Sequence, residues 1–327
     1  MNSRRVADPE VNAVRAAAAA DATLLGQVAR LTGSAVVESA DVTKPWATTR
    51  SLVVRLADCR SVVAQWPADP RAFAQRVRLA RLLPAVAAGI PVPPLVASDA
   101  TPGRLLVVTR FVPGSAGDGL LGSDAGARLL GSELGRLSGR LARVPTQGLG
   151  LPATWADPAR LARDAQAWLA RSSDALEAAG VDRVGAAVAT ESLLLDDHSP
   201  SVFAHGDLAP VNVLFQDPGA GRDNADRVRI VAVLDFERAQ IAHRLYDPAW
   251  LRWIVRYHHP ERWPALWPEF AEAAQIDEAD ETTLAKLDLL GTLQCLEELD
   301  ATPRHRKGTR QEWARRVGAI LSWSRDG

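Results

Sequence analysis

Asp207, Asn212 and Asp235 have the residue types and the spacing that a phosphoryl-transfer site requires. The first two stand in His205-Gly206-Asp207-Leu208-Ala209-Pro210-Val211-Asn212, and the third follows a β-rich segment in Val233-Leu234-Asp235-Phe236-Glu237. Moving a γ-phosphoryl group needs little covalent help from a protein; it needs an oriented acceptor hydroxyl and a neutralised triphosphate. Asp207, in a loop after a short strand at 201–204, is placed to accept the hydroxyl proton or hold it in line. Asn212 offers an amide oxygen. Asp235 ends the apolar, β-branched run 228–234, which reads as a buried strand, and offers a carboxylate. One amide, one carboxylate and phosphate oxygens suit Mg²⁺, which prefers oxygen ligands and keeps several waters. Asp and Asn are common in turns for local reasons, but His-Gly-Asp, the five-residue offset and a second Asp at a strand end together favour the functional reading.

On these motifs the chain resembles the aminoglycoside phosphotransferase and choline-kinase-like family, small-molecule relatives of protein kinases. The motifs occupy about forty residues, while order and length fit the resemblance along the whole chain. It implies an α+β, protein-kinase-like bilobal fold: a small N-lobe with an antiparallel β-sheet plus a helix, and a larger, mainly helical C-lobe. It further implies that Asp207 is the catalytic aspartate, that His205 positions the loop backbone, and that Asn212 and Asp235 hold the metal, Asp235 matching the D-F-G aspartate of protein kinases. Asp247, in Tyr246-Asp247-Pro248-Ala249, matches an aspartate that braces this loop; a helix start at the same place is the simpler local reading. The implied co-substrates are ATP or GTP with Mg²⁺ and a small hydroxylated acceptor. Backbone near Thr109 to Phe111 would meet the base edge, which leaves no side-chain signature to separate the two nucleotides.

Composition fits such a catalytic domain. The chain has 327 residues, 47% of them apolar and 24% charged, which is ordinary globular usage. A formal net charge of −1 argues against partners found by bulk electrostatics, nucleic acid and anionic membranes among them. No apolar run approaches a membrane span, and residues 1–10 lack the apolar core of a signal peptide. Cys59 and Cys295, distant and without ligand spacing, read as reduced thiols of a cytoplasmic protein.

The elements needed to position the site can be read in order. An Ala-rich helix at 11–31 precedes strands at 35–39, 51–56 and 61–66, the last two joined by a tight turn at 57–60. A helix at 71–88, with Pro84 expected to kink or split it, leads to strands at 94–97 and 104–111. The domain reading is a nucleotide-binding lobe at 1–112, a hinge at 113–122 and a catalytic and substrate-binding lobe at 123–327. Helices follow at 123–143, 158–179 and 183–196, then the two motif segments, then helices at 247–257, 261–274, 281–300 and 310–324. Gly117-Asp118-Gly119-Leu120-Leu121-Gly122 satisfies G-x-G-x-x-G, but a Pro-Gly linker precedes it and helices follow, so a dinucleotide fold is rejected.

The small lobe departs from the resemblance. Kinase-type enzymes grip the α- and β-phosphates with a strand cation paired to a helix Glu. Here Gln65 occupies the strand position, and no Glu occurs between Arg71 and Ala88. Lys44, Arg76 or Arg78 could supply the cation, Arg through its planar fork, and Lys44, Thr48, Thr49 and Arg50 could donate to phosphate. The nucleotide set is therefore Lys44, Gln65, Arg78, Thr109 and Phe111. A second reading, from another class, is a kinase-like module that holds nucleotide or a partner without turnover. For the acceptor, Asp207, Glu237, Trp250 and Glu298 are the substrate-facing set, from the acids 277–281 and 297–300 and from the aromatics after Asp235. Acids at helix starts also serve capping and solvation, Trp250 and Trp253 at i, i+3 also make a core face, and Glu237 reads more readily as a brace than as a third metal ligand. An antibiotic, an amino alcohol or a sugar all fit as acceptor.

Overall fold

Alternation of apolar residues decides the first sheet. The computed structural model describes residues 9–44, 49–87, 89–101, 103–197, 199–216 and 229–323. The chain divides into two compact units, Met1–Arg81 with Pro93–Val112, and Leu82–Val92 with Pro113–Gly327. The first unit holds α1 (Pro9–Thr32), β1 (Val36–Asp41), β2 (Arg50–Leu56), β3 (Ser61–Trp66), most of α2 (Pro70–Val86), β4 (Leu95–Asp99) and β5 (Leu106–Arg110). The strands form one antiparallel sheet in the order β1-β2-β3-β5-β4. Leu52, Val54 and Leu56 of β2, Val62 and Ala64 of β3, and Leu106 and Val108 of β5 share one buried face with Val28 of α1. Side chains alternate along a strand, so Ser51 and Gln65, paired in register, lie on the opposite face. The β2–β3 turn closes through Cys59 at φ 66°. Pro84 does not split α2. It sits in the last turn of the helix, close to where the helix ends anyway.

The second unit opens with the two-residue strand β6 (Ser115–Ala116), a 3₁₀ turn at Gly117–Gly122 and α3 (Asp124–Leu141), capped by Ser123, whose Oγ accepts from Gly126 N. Next come α4 (Pro158–Ser172) and α5 (Ala178–Glu191). The expected helix at 158–179 ends early, because Ser172 and Ser173 are weak helix formers and the Ser173 hydroxyl donates to Ala170 O (3.2 Å). The strands β7 (Val202–Ala204), β8 (Val213–Phe215), β9 (Ile230–Val233) and β10 (Gln240–Ala242) make two small antiparallel sheets, β10-β7 and β6-β8-β9. The helices α6 (Tyr246–His258), α7 (Trp263–Ala274), α8 (Glu281–Ala301) and α9 (Lys307–Trp323) complete the unit. α8 is buried on most sides along its middle, with Leu287, Leu290, Leu293, Leu296 and Leu299 buried. It can therefore serve as the central helix on which α4, α6 and α9 pack. Among the described residues no helix is long and apolar enough to cross a membrane.

Candidate active site

The loop between β7 and β8 carries His205, Asp207 and Asn212, and Asp235 follows β9. The pairing of β8 with β9 sets Val213 opposite Val233. Beyond that register Leu234 N donates to Asn212 O (2.8 Å), which fixes the two motif segments side by side. His205 adds a second tie. Its ring, fully buried, accepts from Asp207 N at Nδ1 (3.2 Å). Nε2 must then carry the proton, and it donates to Leu234 O (2.8 Å). A single imidazole thus holds the backbone at Asp207 and the residue before Asp235.

Asp235 has left-handed backbone, φ 67° and ψ 55°. For a residue with a Cβ this costs on the order of 1 kcal/mol. The strain turns the chain sharply off the strand end into the 3₁₀ turn Phe236–Arg238. Gly206 permits the approach of the loop to that turn. Its φ is 85°, and a Cβ there would lie 2.0 Å from Arg238 O. Gly117 of the rejected glycine motif has a similar task, since a Cβ would lie 2.7 Å from Pro210 O in the loop.

The Asp207 carboxylate is held from two sides. Asn212 Nδ2 donates to Oδ2 (2.8 Å) and to the Asp207 carbonyl (3.0 Å), while Trp250 Nε1 donates to Oδ1 (2.7 Å). With its nitrogen toward Asp207, the Asn212 amide turns Oδ1 to the opposite side, as an oxygen ligand to a cation would require. Among the described residues no three His, Cys, Asp or Glu side chains form a metal cage of their own. Asn212 and Asp235 fit a Mg²⁺ that arrives with phosphate oxygens, because their oxygens are hard donors and too few to hold the ion alone.

Asp247 lies in the first turn of α6 without capping it. Its carboxylate accepts from His205 N (2.7 Å) and Gly206 N (3.0 Å). Burial raises its pKa, against the lowering effect of His205 and the two amide donors. The helix-start reading of Asp247 gives way to a loop brace.

Several expected site residues have other work. Trp250 is buried, 4% exposed, with Trp253 edge-on (5.1 Å between centroids), so it acts on the site through Asp207 instead of offering a face to an acceptor. Glu298 pairs with Arg238, whose guanidinium stacks over Trp250 (4.8 Å). The acids of α8 and the loop before it are similarly engaged. Asp277 accepts from Ala279 N, Glu278 from Trp267 Nε1, Asp280 caps α8 through Thr282 N and Thr283 N, and Asp300 holds Arg171. Burial pushes Glu297 up to about 7, opposed by Arg238 and reinforced by Glu298. Glu237 lies half-buried in the 3₁₀ turn after Asp235. Sequence reading missed Arg238, which carries no motif signature; only its place three residues after Asp235 hinted at it.

In the first unit, Gln65 Nε2 donates to Ser51 Oγ (3.2 Å) and its Oε1 accepts from Arg76 Nη1 (3.0 Å). Arg76, not Arg78, is the partner of the strand position. Arg50 is paired with Asp21 (2.6 Å) and Asp41 (3.4 Å). Lys44 lies three residues beyond the end of β1, Thr49 is buried, and Thr48 lies outside the described residues. Phe111 N donates to Ser61 O (3.1 Å), which removes that donor from recognition of a base edge. Thr109 sits in an inner strand, in register with Val63 and Leu95.

A sheet with its flanking helices, followed by a helical unit bearing this loop, is the kinase-like architecture. Residues 42–290 match the model of the phosphotransferase enzyme family, and the chain belongs to that family; it is a small-molecule kinase. No curated protein matches it significantly in sequence. Among solved structures, the GDP and kanamycin complex of APH(2")-IIIa superposes with a TM-score of 0.66 at 17% identity, over 90% of this chain and 95% of that one. The macrolide 2'-phosphotransferase MphH from Brachybacterium faecium gives 0.59 at 21% identity, over 90% and 96%. The streptomycin-ATP-APH(2")-IIa ternary complex gives 0.59 at 10% identity, over 92% and 96%.

Proposed function

We propose that the protein transfers the γ-phosphoryl group of a nucleoside triphosphate, ATP or GTP, to a hydroxyl of a small molecule, with Asp207 aligning and deprotonating that hydroxyl. The observation that carries this reading is the cross-tied loop: Asn212 and Trp250 aim the Asp207 carboxylate, while His205 and the Asn212 carbonyl fix Leu234 beside it. Asn212 and Asp235 would hold Mg²⁺, which supplies charge neutralisation along the phosphates. Asp247 keeps the His205 and Gly206 amides in place, and the left-handed Asp235 presents its carboxylate off the strand end. The nucleotides of the superposed complexes, GDP and ATP, support a triphosphate donor without choosing its base.

The acceptor is a hydroxylated compound recognised by shape and hydrogen bonding more than by high positive charge. Four carboxylates that could meet a polycation, Glu298, Asp300, Glu278 and Asp280, are engaged by Arg238, Arg171, Trp267 and a helix start, and burial raises the pKa of Glu297. A macrolide phosphotransferase among the superposed structures is consistent with this. The test is a panel of hydroxylated antibiotics, amino alcohols and sugars incubated with Mg²⁺ and either nucleotide, read by mass gain of one phosphate. Turnover of neutral or singly charged compounds is expected; turnover of polycations alone would contradict the acceptor class, and none with any compound, together with no hydrolysis, would favour the non-catalytic module.

A further inference from the structure

A cleft of about 780 Å³ opens in the first unit between α1, the link from β3 to α2 and the turn from β4 to β5. Its volume is that of a small-molecule site. Trp66, which lines it, packs against the sheet face that α1 covers and follows Gln65 along β3, so the two side chains leave the strand on opposite faces. Leu24, Trp66, Pro67, Pro70 and Leu105 give the cleft apolar walls. The Trp66 N–H is spent on Gln27 Oε1 (3.2 Å), so the indole has only carbon surface left to offer.

The polar lining is one-sided. Gln27 is buried and engaged at both ends of its amide: besides Trp66 at Oε1, its Nε2 donates to Asp99 Oδ2 (3.0 Å) and to Arg104 O (2.7 Å). The neighbouring Asp99 carboxylate accepts from Thr101 Oγ1 (2.6 Å), Thr101 N (3.0 Å), Gln27 and Arg30 Nη2 (2.9 Å). No acid stands among the described residues that line the cleft, but two arginines do. Arg30 gives Asp99 one of its five donors. The Arg104 guanidinium has no hydrogen bond or ion pair among the described residues. Gly26 of α1 adds an independent sign. Glycine weakens a helix interior, yet a Cβ at Gly26 would meet nothing within 4 Å; the space a side chain would take is the cleft.

We propose that this cleft, which shares no residue with the candidate catalytic loop, binds a small aromatic carboxylate: the ring lies against Trp66 and the prolines, and the carboxylate takes the fork of Arg104 and the spare donors of Arg30. Charge selects the ligand. A carboxylate gains both the apolar wall and charge-assisted bonds to a planar guanidinium. A neutral amide keeps the wall and loses the charge. An amine meets two guanidiniums with no acid in the lining to pair with. An exposed arginine by itself holds an anion weakly, so the apolar wall is what makes the cleft a site.

Calorimetric titration with three probes of matched shape, naphthylacetate, naphthylacetamide and naphthylethylamine, tests the site. The acid should bind about tenfold or more tightly than the amide, the worth of one charge-assisted hydrogen bond, and the amine should bind more weakly still. Arg104→Ala removes a side chain that holds nothing else, so Tm should stay at the wild-type value while affinity for the acid falls about tenfold. Gly26→Leu should abolish binding and leave Tm equal or higher, since a better helix former fills open space. Saturating Mg·ADP should leave affinity for the acid unchanged. Equal binding of acid and amide, wild-type affinity in folded Arg104→Ala or Gly26→Leu, competition by Mg·ADP, or no binding to the wild type would each overturn the proposal. None of these outcomes depends on whether the protein transfers phosphate, so the proposed function stands or falls separately.

Discussion

The candidate catalytic loop and the N-terminal sheet hold their polar residues by different means. In the loop, positions are set by backbone: His205, Asp247 and the Asn212–Leu234 bond all act on main-chain groups, and Gly206 is required because a neighbouring carbonyl occupies the space of a Cβ. In the sheet, Gln65 and Arg76 meet only through side chains. Backbone ties tolerate little substitution, since a different residue moves the chain itself. A side-chain couple can change both members and keep a joint task. The loop should therefore be brittle and the couple exchangeable.

The largest effect is expected at Asp207. Asp207→Ala should lower kcat by roughly a thousandfold or more with Tm close to wild type; a kcat within tenfold would remove Asp207 from the role of base. Gly206→Ala comes next. With Arg238 O 2.0 Å from the new Cβ and a φ of 85°, the loop must shift, costing on the order of 3 kcal/mol. Chemical denaturation reads this, and a loss under about 0.5 kcal/mol would mean that the loop is as forgiving as the sheet couple. Trp250→Phe keeps the ring and removes the N–H on Asp207. A fall in kcat of about tenfold, with donor KM unchanged, is expected for one hydrogen bond to a charged group; a rise in acceptor KM alone would instead return Trp250 to the substrate-facing set.

The last effect is on the pH dependence of stability and leaves the site itself untouched. The folded-state pKa of Glu297 is raised from 4.5 to about 7, so between those values the folded chain binds more protons than the unfolded one. Stability from this group is present at low pH and is lost as pH rises toward 7, by on the order of 1–3 kcal/mol. Glu297→Gln should flatten that fall in a denaturation series, and an unchanged slope would show that the buried acid is not its source.

Much of this was legible in the sequence, for reasons that follow the same contrast. The His205-to-Asn212 spacing and the strand before Asp235 were readable because a backbone-built loop needs those residue types in that order. The β2–β3 hairpin was readable from strict alternation in 51–56 and 61–66, and β3 has the expected bounds. What stayed hidden depends on contacts distant in sequence. Nothing local marks Trp250 as a donor to Asp207, forty-three residues away, or tells that Glu298 will be consumed by Arg238. Nothing local tells that Arg76 meets Gln65, because the helix phase relative to β3 is set by packing. The early end of α4 was missed because two serines weaken a helix without a Gly or Pro to mark the place.

The most direct test of the central claim is phosphoryl transfer from radiolabelled ATP or GTP, measured across a Mg²⁺ titration in the wild type and in Asp235→Asn. If Asn212 and Asp235 hold the ion, the variant should lose several orders of magnitude in rate and need far more Mg²⁺ for what remains. A variant with wild-type rate and unchanged Mg²⁺ dependence would contradict the account.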